Sequence, residues 1–281
     1  MNPTDPAPAE QWLRWDPDEG FGPATAPGGP LLAADSWLVE DGRVRDVGRH
    51  AERFSRACAR EGVAERARVD FWRDVLARLP RRGAWFPRVE LRPGGALSLW
   101  LRHAPHRGAV IRVLPWPHAD PRAMPYRKGP DLDLLAGIRR RAQEAGADDA
   151  LLSTADGAVT ESTTASPLWW RGDTLCLPPP GPHLLPGVTS ALVVQLARWN
   201  GVPVRQETVS PAELFDCETW LVNALYGIRP VTDWVGVEHP AAPAERAPRW
   251  QRLLTALASD LPAAVHRPAP QGTITQGGTS A

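Results

Sequence analysis

A proline-dense stretch in the middle of the chain, LPWPHADPRAMP at 114–125, is the feature that most constrains the fold. Because proline fixes φ and has no backbone N–H, such a stretch interrupts regular helices and central strands. We therefore expect an interdomain linker over 116–127. On each side of this stretch, the spacing of apolar residues is typical of strands in some segments and of helices in others. Each half should therefore contain both strands and helices. The sequence predicts a mixed α/β (α+β) fold of two domains.

The expected domain bounds follow from where this periodicity begins and ends. A smaller domain is expected over 34–115 and a larger one over 128–245. Proline, glycine and alanine dominate the start of the chain, so an irregular segment is expected over 1–33. Residues 246–281 should form a C-terminal helix followed by a disordered tail.

Local signals predict the elements of the first half. Asp41-Gly42 tolerates the positive φ of a tight hairpin, so a hairpin should turn there. Apolar spacing predicts helices over about 49–60 and 66–79. The segments that alternate like strands of one antiparallel sheet are 84–92, 96–102 and 109–114.

The second half opens with helical spacing over about 131–145. A hairpin is expected around the turn TADG at 154–157, because Asp-Gly again favours a tight turn. The stretch LLPGVTSALVVQLARWNG at 184–201 is a glycine loop that opens a helix. Ser210 and Glu213 form a capping box that predicts a short helix. Strands fill the intervals, and a last helix is expected near 248–259.

Composition argues against several function classes. Acidic and basic residues number 32 each, so no net charge draws the chain to nucleic acid or to an anionic membrane. No apolar run approaches the roughly 20 residues of a membrane span, and the first residues, MNPTDPAPAE, lack the pattern of a signal peptide. Cys58, Cys176 and Cys217 are too scattered for a metal or redox pair. We expect a cytoplasmic protein without a bound metal.

The chain contains a single lysine, Lys128, among its 32 basic residues. Its abundance of alanine, arginine, glycine and proline is typical of a GC-rich genome, in which arginine replaces lysine wherever charge alone matters. A lysine can lose its proton and attack a carbonyl, whereas arginine stays protonated. Composition alone is equally consistent with a lysine retained by chance, so the role of Lys128 has to be judged from its position in the chain.

Four motifs whose side chains could take part in catalysis or binding follow one another along the chain. They are His50-Ala-Glu-Arg53-Phe54 on the first helix, Lys128 after the linker, Glu161 on the returning strand of the second hairpin, and Leu185-Pro186-Gly187-Val188-Thr189 at a helix start. Pyridoxal phosphate requires an amine for its aldehyde, a carboxylate at its ring nitrogen and donors for its phosphate. A helix N-terminus offers such donors. The four motifs together therefore indicate a pyridoxal-phosphate site.

The order and spacing of these motifs resemble those of the class IV aminotransferases. This fold-type IV group includes branched-chain and D-amino-acid aminotransferases and aminodeoxychorismate lyase. The resemblance runs from about Asp35 to Gly236 and is most specific in GADDALLSTADGAVTESTTASPLWW and LLPGVTSALVVQLARWNGVPV. It implies a two-domain fold-type IV enzyme with pyridoxal phosphate in the interdomain cleft. It also implies amino acid and keto acid substrates and a homodimer, without nucleic-acid or membrane partners.

The resemblance assigns a role to each motif of this sequence. It implies that Lys128 forms the Schiff base with the cofactor and acts in catalysis, and that Glu161 pairs with the pyridine nitrogen. Arg53 would bind the phosphate, with Phe54 where the family has leucine. The residues implied at the cofactor by the helix start and by a later loop are Gly187, Val188, Thr189, Asn223 and Ala224.

Substrate contacts and reaction type stay open at this point. Arg102 stands where the family often places an arginine or tyrosine for the substrate carboxylate, and Arg107 is a second candidate. Asp133 replaces the tyrosine of branched-chain enzymes, while Asn223-Ala224-Leu225 resembles aminodeoxychorismate lyase. Ser166 replaces the usual asparagine, and LLAADSW replaces a usual Gly-Asp-Gly. A transaminase is the first expectation; a lyase that releases pyruvate and a cofactor-binding protein without turnover are the alternatives.

Overall fold

The computed structural model describes residues 9–263. Their helices are α1 Val47–Arg60, α2 Glu65–Arg78, α3 Leu132–Glu144, α4 Val188–Trp199 and α5 Ala247–Ala256, with 3-10 turns at Pro93–Gly95 and Pro211–Leu214. Their strands are β1 Gln11–Asp16, β2 Gly20–Ala24, β3 Ala33–Ser36, β4 Val39–Glu40, β5 Arg43–Val44, β6 Ala84–Trp85, β7 Arg88–Arg92, β8 Ala96–Leu101, β9 Ile111–Ala119, β10 Asp149–Ser153, β11 Val159–Ser162, β12 Ser166–Arg171, β13 Thr174–Leu177, β14 Val204–Gln206, β15 Thr219–Asn223, β16 Gly227–Trp234 and β17 Ser259–Asp260.

The first large sheet is antiparallel, in the order β2-β1-β8-β7-β3, and α1 and α2 cover one of its faces. In α1, His50, Phe54 and Cys58 are buried at intervals of four residues, which places them on one face of the helix. Phe54 packs there with Phe71 of α2 and Trp37 in a continuous aromatic core. The polar residues of α1 between these positions remain partly or fully exposed.

The second large sheet is mixed, in the order β11-β10-β9-β16-β15-β12-β13-β14. One apolar cluster packs α4 and α5 against Trp170 and Trp220 on one face, and another surrounds Trp169 and Trp234. The helices predicted over 131–145 and after the glycine loop are present as α3 and α4, and the Asp-Gly hairpin and the capping box of Ser210 are present as well. The mixed α/β fold expected from the sequence is confirmed.

The placement of β9 corrects two expectations. The segment 109–114 was expected in the first sheet, but β9 lies at the centre of the second, parallel to β10 and β16. It also runs into the expected linker 116–127. β16 pairs only with Ile111–Val113, so the later part of β9 pairs with β10 alone. Pro115 and Pro117 lie in this later part, where the missing proline N–H breaks no bond to a second strand.

The N-terminal segment is also more regular than expected. Within the supposedly irregular 1–33, β1 and β2 form a hairpin, and β1 pairs with β8. Leu13 and Trp15 alternate as buried residues along β1, a two-residue period that the proline-rich surroundings obscured. Gly20, with φ of 80°, supplies the backbone conformation of the turn.

A small sheet, β17-β5-β4-β6, joins the end of the described chain to the first half. The expected hairpin at Asp41-Gly42 is confirmed there, and both residues have positive φ, as a tight primed turn requires. The expected C-terminal helix is α5, and after it β17 pairs with β5. The rest of the expected tail, 264–281, lies outside the described residues.

Candidate active site

A cavity of about 600 Å³ lies where the two large sheets meet. The first sheet contributes side chains from β3, β7 and β8, and the second contributes them from β11, β12 and β15. The expected site residues that line this cavity are Arg53, Arg102, Lys128, Glu161, Gly187, Val188, Thr189, Asn223 and Ala224.

The backbone of Lys128, between β9 and α3, is fixed against the first sheet. Its carbonyl accepts a hydrogen bond from the Ala34 N–H at 2.8 Å. Gly129 follows with φ of 136°, and a Cβ there would lie 2.7 Å from Cα of Ala33. Only glycine permits so close an approach. The Lys128 side chain therefore reaches the cavity from a firmly held backbone.

The amine of Lys128 is poised to lose its proton. Within residues 9–263, Nζ has neither a hydrogen bond nor an ion pair. Burial, together with the positive charge of Arg53, lowers its pKa from 10.5 to about 8. Because only the neutral amine attacks a carbonyl, this environment favours covalent chemistry at Nζ.

Glu161 points into the same cavity from β11, whose four residues are all buried. Its Oε2 accepts hydrogen bonds from Nη1 of Arg122 at 2.5 Å and from the Leu185 N–H at 3.2 Å. Its Oε1 has one long contact, 3.4 Å from the Ser166 hydroxyl. Burial raises the pKa of Glu161, and the charge of Arg122 opposes that rise. One carboxyl oxygen is therefore anchored while the other is open to a ligand.

Arg122 is a site residue that sequence reasoning missed. Its side chain is 4% exposed, and its guanidinium donates to both carboxylate oxygens of Asp120 as well as to Glu161. A further bond runs to the carbonyl of His183. The signal in the sequence was the pair of opposite charges, Asp120 and Arg122, inside the proline-dense stretch. Such a pair is buried only when its members are paired, which an exposed linker does not require.

Arg53 is oriented by a second missed residue, Asp35 of β3. Nε and Nη2 of Arg53 donate to the two Asp35 oxygens, both at 2.8 Å, and His50 Nδ1 lies 2.8 Å from the same carboxylate. Burial would raise the pKa of Asp35, but Arg53 and His50 hold it well below its usual range. Nη1 of Arg53 donates to the Pro186 carbonyl. Three of the five guanidinium N–H groups are thus engaged, and two remain for a ligand.

The start of α4 brings unpaired backbone donors to the cavity. Gly187 precedes the helix, and Val188 and Thr189 form its buried first turn. A Cβ on Gly187 would lie 2.7 Å from the Ser166 hydroxyl and 3.3 Å from Cβ of Ser190, so a larger residue there would force the Ser166 side chain or the start of α4 to shift. The N–H groups of a first helical turn have no partner within the helix and favour an anion.

Asn223 and Ala224 lie at the turn between β15 and β16. The Asn223 carboxamide accepts from the N–H groups of Leu225 and Tyr226 and donates to the Thr164 carbonyl. Its side chain therefore shapes the turn. Ala224 receives a hydrogen bond from Arg45 on its carbonyl, and both residues face the cavity.

The two expected substrate arginines lie in different places. Arg102 lines the cavity and donates Nε–H to the Phe86 carbonyl at 2.9 Å. Arg107 forms an ion pair with Glu40 and is not part of the cavity wall. The structure therefore brings Arg102 to the site and leaves Arg107 outside it.

Residues 32–234 match the family model described as amino-transferase class IV. The chain belongs to the class IV aminotransferase family. The family expected from the motifs is thereby confirmed, and the match covers most of the chain. No curated protein sequence matches significantly.

Solved structures with the same architecture include three informative ones. A fold IV transaminase from Curtobacterium pusillum is 21% identical, with a TM-score of 0.72 over 88% of this chain and 97% of that one. An aminotransferase from Brucella abortus bound to pyridoxal phosphate is 18% identical, with a TM-score of 0.73 over 88% and 98%. A Legionella pneumophila protein assigned as a 4-amino-4-deoxychorismate lyase is 17% identical, with a TM-score of 0.68 over 83% and 96%. At these identities the likeness establishes the fold-type IV architecture.

Class IV aminotransferases use pyridoxal phosphate, and the groups in this cavity fit it. The chain offers a free amine at Lys128, an open carboxyl oxygen at Glu161 and two unused N–H groups on Arg53. The first turn of α4 adds further donors for a phosphate. Within residues 9–263 no helix could cross a bilayer, and no group of side chains suits a metal ion.

Proposed function

We propose that this protein is a pyridoxal-phosphate-dependent transaminase that carries its cofactor on Lys128 and exchanges amino groups between amino acids, or related amines, and keto acids. The observation that carries the proposal is the position of the only lysine of the chain. Its unpaired amine lies in one cavity with Glu161 and Arg53. When bound, pyridoxal phosphate supplies an electrophilic aldehyde and a ring that accepts electrons from the substrate.

Lys128 has two tasks in this proposal. Its neutral amine would be the group that attaches the cofactor, and the same Nζ, when not so attached, could take and return a proton. A pKa of about 8 suits both tasks, because the protonated and neutral forms are both populated near neutral pH.

Glu161 holds the ring nitrogen of the cofactor. Arg122 and the Leu185 N–H secure Oε2, which leaves Oε1 as the atom that would accept from a protonated ring nitrogen. A protonated ring nitrogen makes the ring a better electron acceptor. Replacing Glu161 by glutamine would remove this proton sharing at nearly the same side-chain volume, and would also take the negative charge from its ion pair with Arg122.

Arg53, Gly187, Val188 and Thr189 bind the phosphate. The ion pair with Asp35 fixes the guanidinium of Arg53 before any ligand arrives, so little rotational freedom is lost on binding. The phosphate does not react, so these residues contribute affinity and orientation. Asn223 supports the same pocket by holding the β15–β16 turn, where the backbone of Ala224 faces the cofactor.

We also propose that the enzyme is a cytoplasmic homodimer acting on small molecules. Met124, Tyr126 and Leu134 are large apolar side chains with about two fifths of their surface exposed, and they lie beside the cavity residues Pro125, Arg127 and Lys128. A second copy would cover them and close the cavity from that side.

Borohydride reduction of the cofactor-loaded enzyme tests the assignment of Lys128. Reduction should fix the cofactor irreversibly to the peptide that contains Lys128, as read by mass spectrometry. Lys128→Arg keeps the charge but supplies no free amine, so it should bind cofactor without covalent attachment and lose turnover. An unmodified Lys128 after reduction of fully loaded wild type would refute the proposal.

A lyase that releases pyruvate is the second candidate, favoured by the resemblance of Asn223-Ala224-Leu225 to aminodeoxychorismate lyase. A panel of amino donors, with keto acids and pyruvate assayed separately, distinguishes the two reactions. Keto-acid formation that depends on an amino acceptor supports a transaminase. Pyruvate release without an acceptor supports a lyase, and covalent cofactor on Lys128 without either product supports a binding protein.

A further inference from the structure

We infer that the ion pair between Glu61 and Arg127 positions Lys128 for attachment of the cofactor. The pair ties the segment that carries Lys128 to the end of α1, and the same helix carries the phosphate-binding Arg53. One helix thereby holds both attachment points of the cofactor at a fixed separation. This inference rests on the proposed function, in which Lys128 binds the aldehyde and Arg53 binds the phosphate. Neither Glu61 nor Arg127 was expected at the site from the sequence.

The pair joins the end of α1 to the residue before Lys128. Glu61 is the C-terminal cap of the helix, and its carboxylate accepts a hydrogen bond from Nη1 of Arg127. The side chain of Arg127 is 10% exposed and that of Glu61 is 29% exposed, so water screens the pair only in part. Because neighbouring residues share a rigid peptide plane, a restraint on Arg127 also restrains the backbone of Lys128.

Helix stability does not account for Glu61. The dipole of a helix favours cations at its C-terminal end and disfavours a carboxylate there. Arg60, the last residue of α1, is a favourable residue at this end, whereas Glu61 beside it is not. Its ion pair with Arg127 is the contact that compensates for this position.

A second contact runs beside the first. Cζ of Arg60 lies 5.6 Å from the ring centroid of Tyr126, which is a cation–π contact. Two consecutive residues at the end of α1, Arg60 and Glu61, thus contact two consecutive residues before Lys128, namely Tyr126 and Arg127. Two contacts side by side fix the direction of this segment as well as its distance from the helix.

The chain on the other side of Lys128 is held by β3. The Lys128 carbonyl accepts from the Ala34 N–H, and Gly129 lies against the backbone of β3. The same strand carries Asp35, which orients Arg53 of α1. Although Lys128 begins the second half of the chain, its backbone is therefore fixed to the two elements that hold Arg53.

The length of α1 sets the separation between the two attachment points. Arg53 and Glu61 are eight positions apart, which corresponds to about 12 Å along the helix axis. Phe54 and Cys58 bury the face of the helix between them, so this part of α1 cannot shift freely. Pyridoxal phosphate carries its aldehyde and its phosphate arm on neighbouring carbons of one flat ring. A fixed separation in the protein lets the amine meet the aldehyde as soon as the phosphate is seated.

Arg127 also offers a direct contact to a ligand, because it lines the cavity and its Nε is buried without a partner within residues 9–263. Glu61 does not line the cavity. A loss shared by Glu61→Gln and Arg127→Gln therefore reports the ion pair, whereas a loss confined to Arg127→Gln reports a direct contact. The two substitutions together distinguish positioning from binding.

The rate of attachment measures positioning without turnover. Cofactor-free protein is mixed with pyridoxal phosphate or with pyridoxal, which lacks the phosphate, and absorbance follows the reaction. The neutral Nζ of Lys128 adds to the aldehyde carbon, a C=N bond forms, and the carbonyl oxygen leaves as water with both amine protons. Lys128→Arg gives the background from the N-terminal amine. Wild type should react about a hundredfold faster with pyridoxal phosphate than with pyridoxal, because the phosphate is held before the amine attacks.

Three variants assign this advantage to the ion pair. Glu61→Gln and Arg127→Gln should each slow attachment of pyridoxal phosphate about tenfold and leave that of pyridoxal nearly unchanged. The double variant should be no slower than either single variant, since all three remove one interaction. Glu52→Gln is the matched control, because it breaks an exposed ion pair with Arg56 on the same helix. Calorimetric binding of inorganic phosphate should stay the same throughout, because Arg53 is intact.

An unchanged ratio of the two rates in Glu61→Gln would overturn the inference, as would equal slowing of both aldehydes or losses that add in the double variant. If Arg127→Gln fails to fold, Glu61→Gln decides alone, because its side chain is partly exposed at a helix end. Wild type without any covalent attachment to Lys128 would instead contradict the proposed function.

Discussion

At the scale of single residues, the site brings an amine and a carboxyl group into one cavity and moves their pKa values toward each other. Burial lowers the pKa of Lys128 to about 8 and raises that of Glu161. Lys128 can therefore exchange a proton near neutral pH, which an exposed lysine amine would not do. Arg122 and Arg53 supply the opposing charges that keep the site ionised and ordered.

The pKa of Lys128 can be measured directly because the chain has no other lysine. Reductive methylation of cofactor-free protein with a ¹³C reagent labels Lys128 and the N-terminal amine. The Lys128 resonance should titrate near pH 8, protonated below and neutral above, whereas an ordinary lysine titrates near 10.5. Lys128→Arg assigns the signal by removing it. A midpoint near 10.5 would show that the amine is not poised for attack.

The role of Arg53 in phosphate binding can be tested if the loss of its ion pair with Asp35 is controlled for. Arg53→Ala removes one charged partner of the buried Asp35 carboxylate, which keeps its contact with His50, and should lower the free energy of unfolding by about 3 kcal/mol. The double variant Asp35→Asn/Arg53→Ala should recover part of that loss in a urea titration. Both variants should bind cofactor about 1.5–3 kcal/mol more weakly.

Saturating cofactor separates this role from catalysis. Much of the turnover of Asp35→Asn/Arg53→Ala should return at high cofactor concentration, because the phosphate does not change during the reaction. Glu161→Gln should not be rescued in this way, since its loss lies in the transition state. Unchanged cofactor affinity with collapsed turnover in the double variant would move Arg53 from the phosphate to the substrate.

At the scale of elements, the cavity depends on close approaches between strands and helix ends. β12 presents Ser166 directly to Gly187 at the start of α4, and the absence of a side chain on Gly187 sets their separation. The donors of α4 consequently lie beside Glu161, whose Oε1 contacts the same serine.

A Cβ at Gly187 should therefore displace the helix start. We expect Gly187→Ala to weaken cofactor binding at least tenfold, because φ of −70° is ordinary for alanine and the clash with the Ser166 hydroxyl remains. Ser166→Ala in the same chain removes that oxygen and should restore part of the affinity, because the close approach to Cβ of Ser190 remains. Gly181→Ala, in the same loop with open space around it, is the control. Absorbance titration measures all four proteins, and a double variant as weak as Gly187→Ala would exclude this clash.

At the scale of the whole molecule, two large sheets and the loops between them form the cavity, and a third small sheet ties β17 to the first half. The segment from 120 to 135 runs beside the cavity and carries Met124, Tyr126 and Leu134 on its surface. Large apolar side chains clustered beside a cavity are typical of an interface between subunits.

The proposed homodimer can be tested at this surface. Wild type should elute as a dimer with light-scattering detection, and Tyr126→Glu/Leu134→Glu should shift it toward the monomer and reduce turnover. Trp199→Glu is the control, because that exposed side chain ends α4, away from this segment. A wild-type monomer with full activity would contradict the proposal.

Local chemistry explains what could be predicted. The Asp41-Gly42 turn, the capping box of Ser210 and the helical face of α1 depend on residues within a few positions of one another. Lys128 could be singled out because the chain has no other lysine, and its order relative to Arg53, Glu161 and Gly187 identified the family.

Contacts between residues far apart in the sequence explain what could not be predicted. Asp35 is 18 residues from Arg53, and Arg122 is 39 from Glu161, so no local pattern connects the members of either pair. The same limit hid the stacking of Trp12 on Trp100 and the choice of Arg102 over Arg107 as the cavity residue. Sequence alone determined which chemical groups the chain carries and in what order. Only tertiary structure decided which groups meet, because burial in a shared cavity sets their partners and their charges.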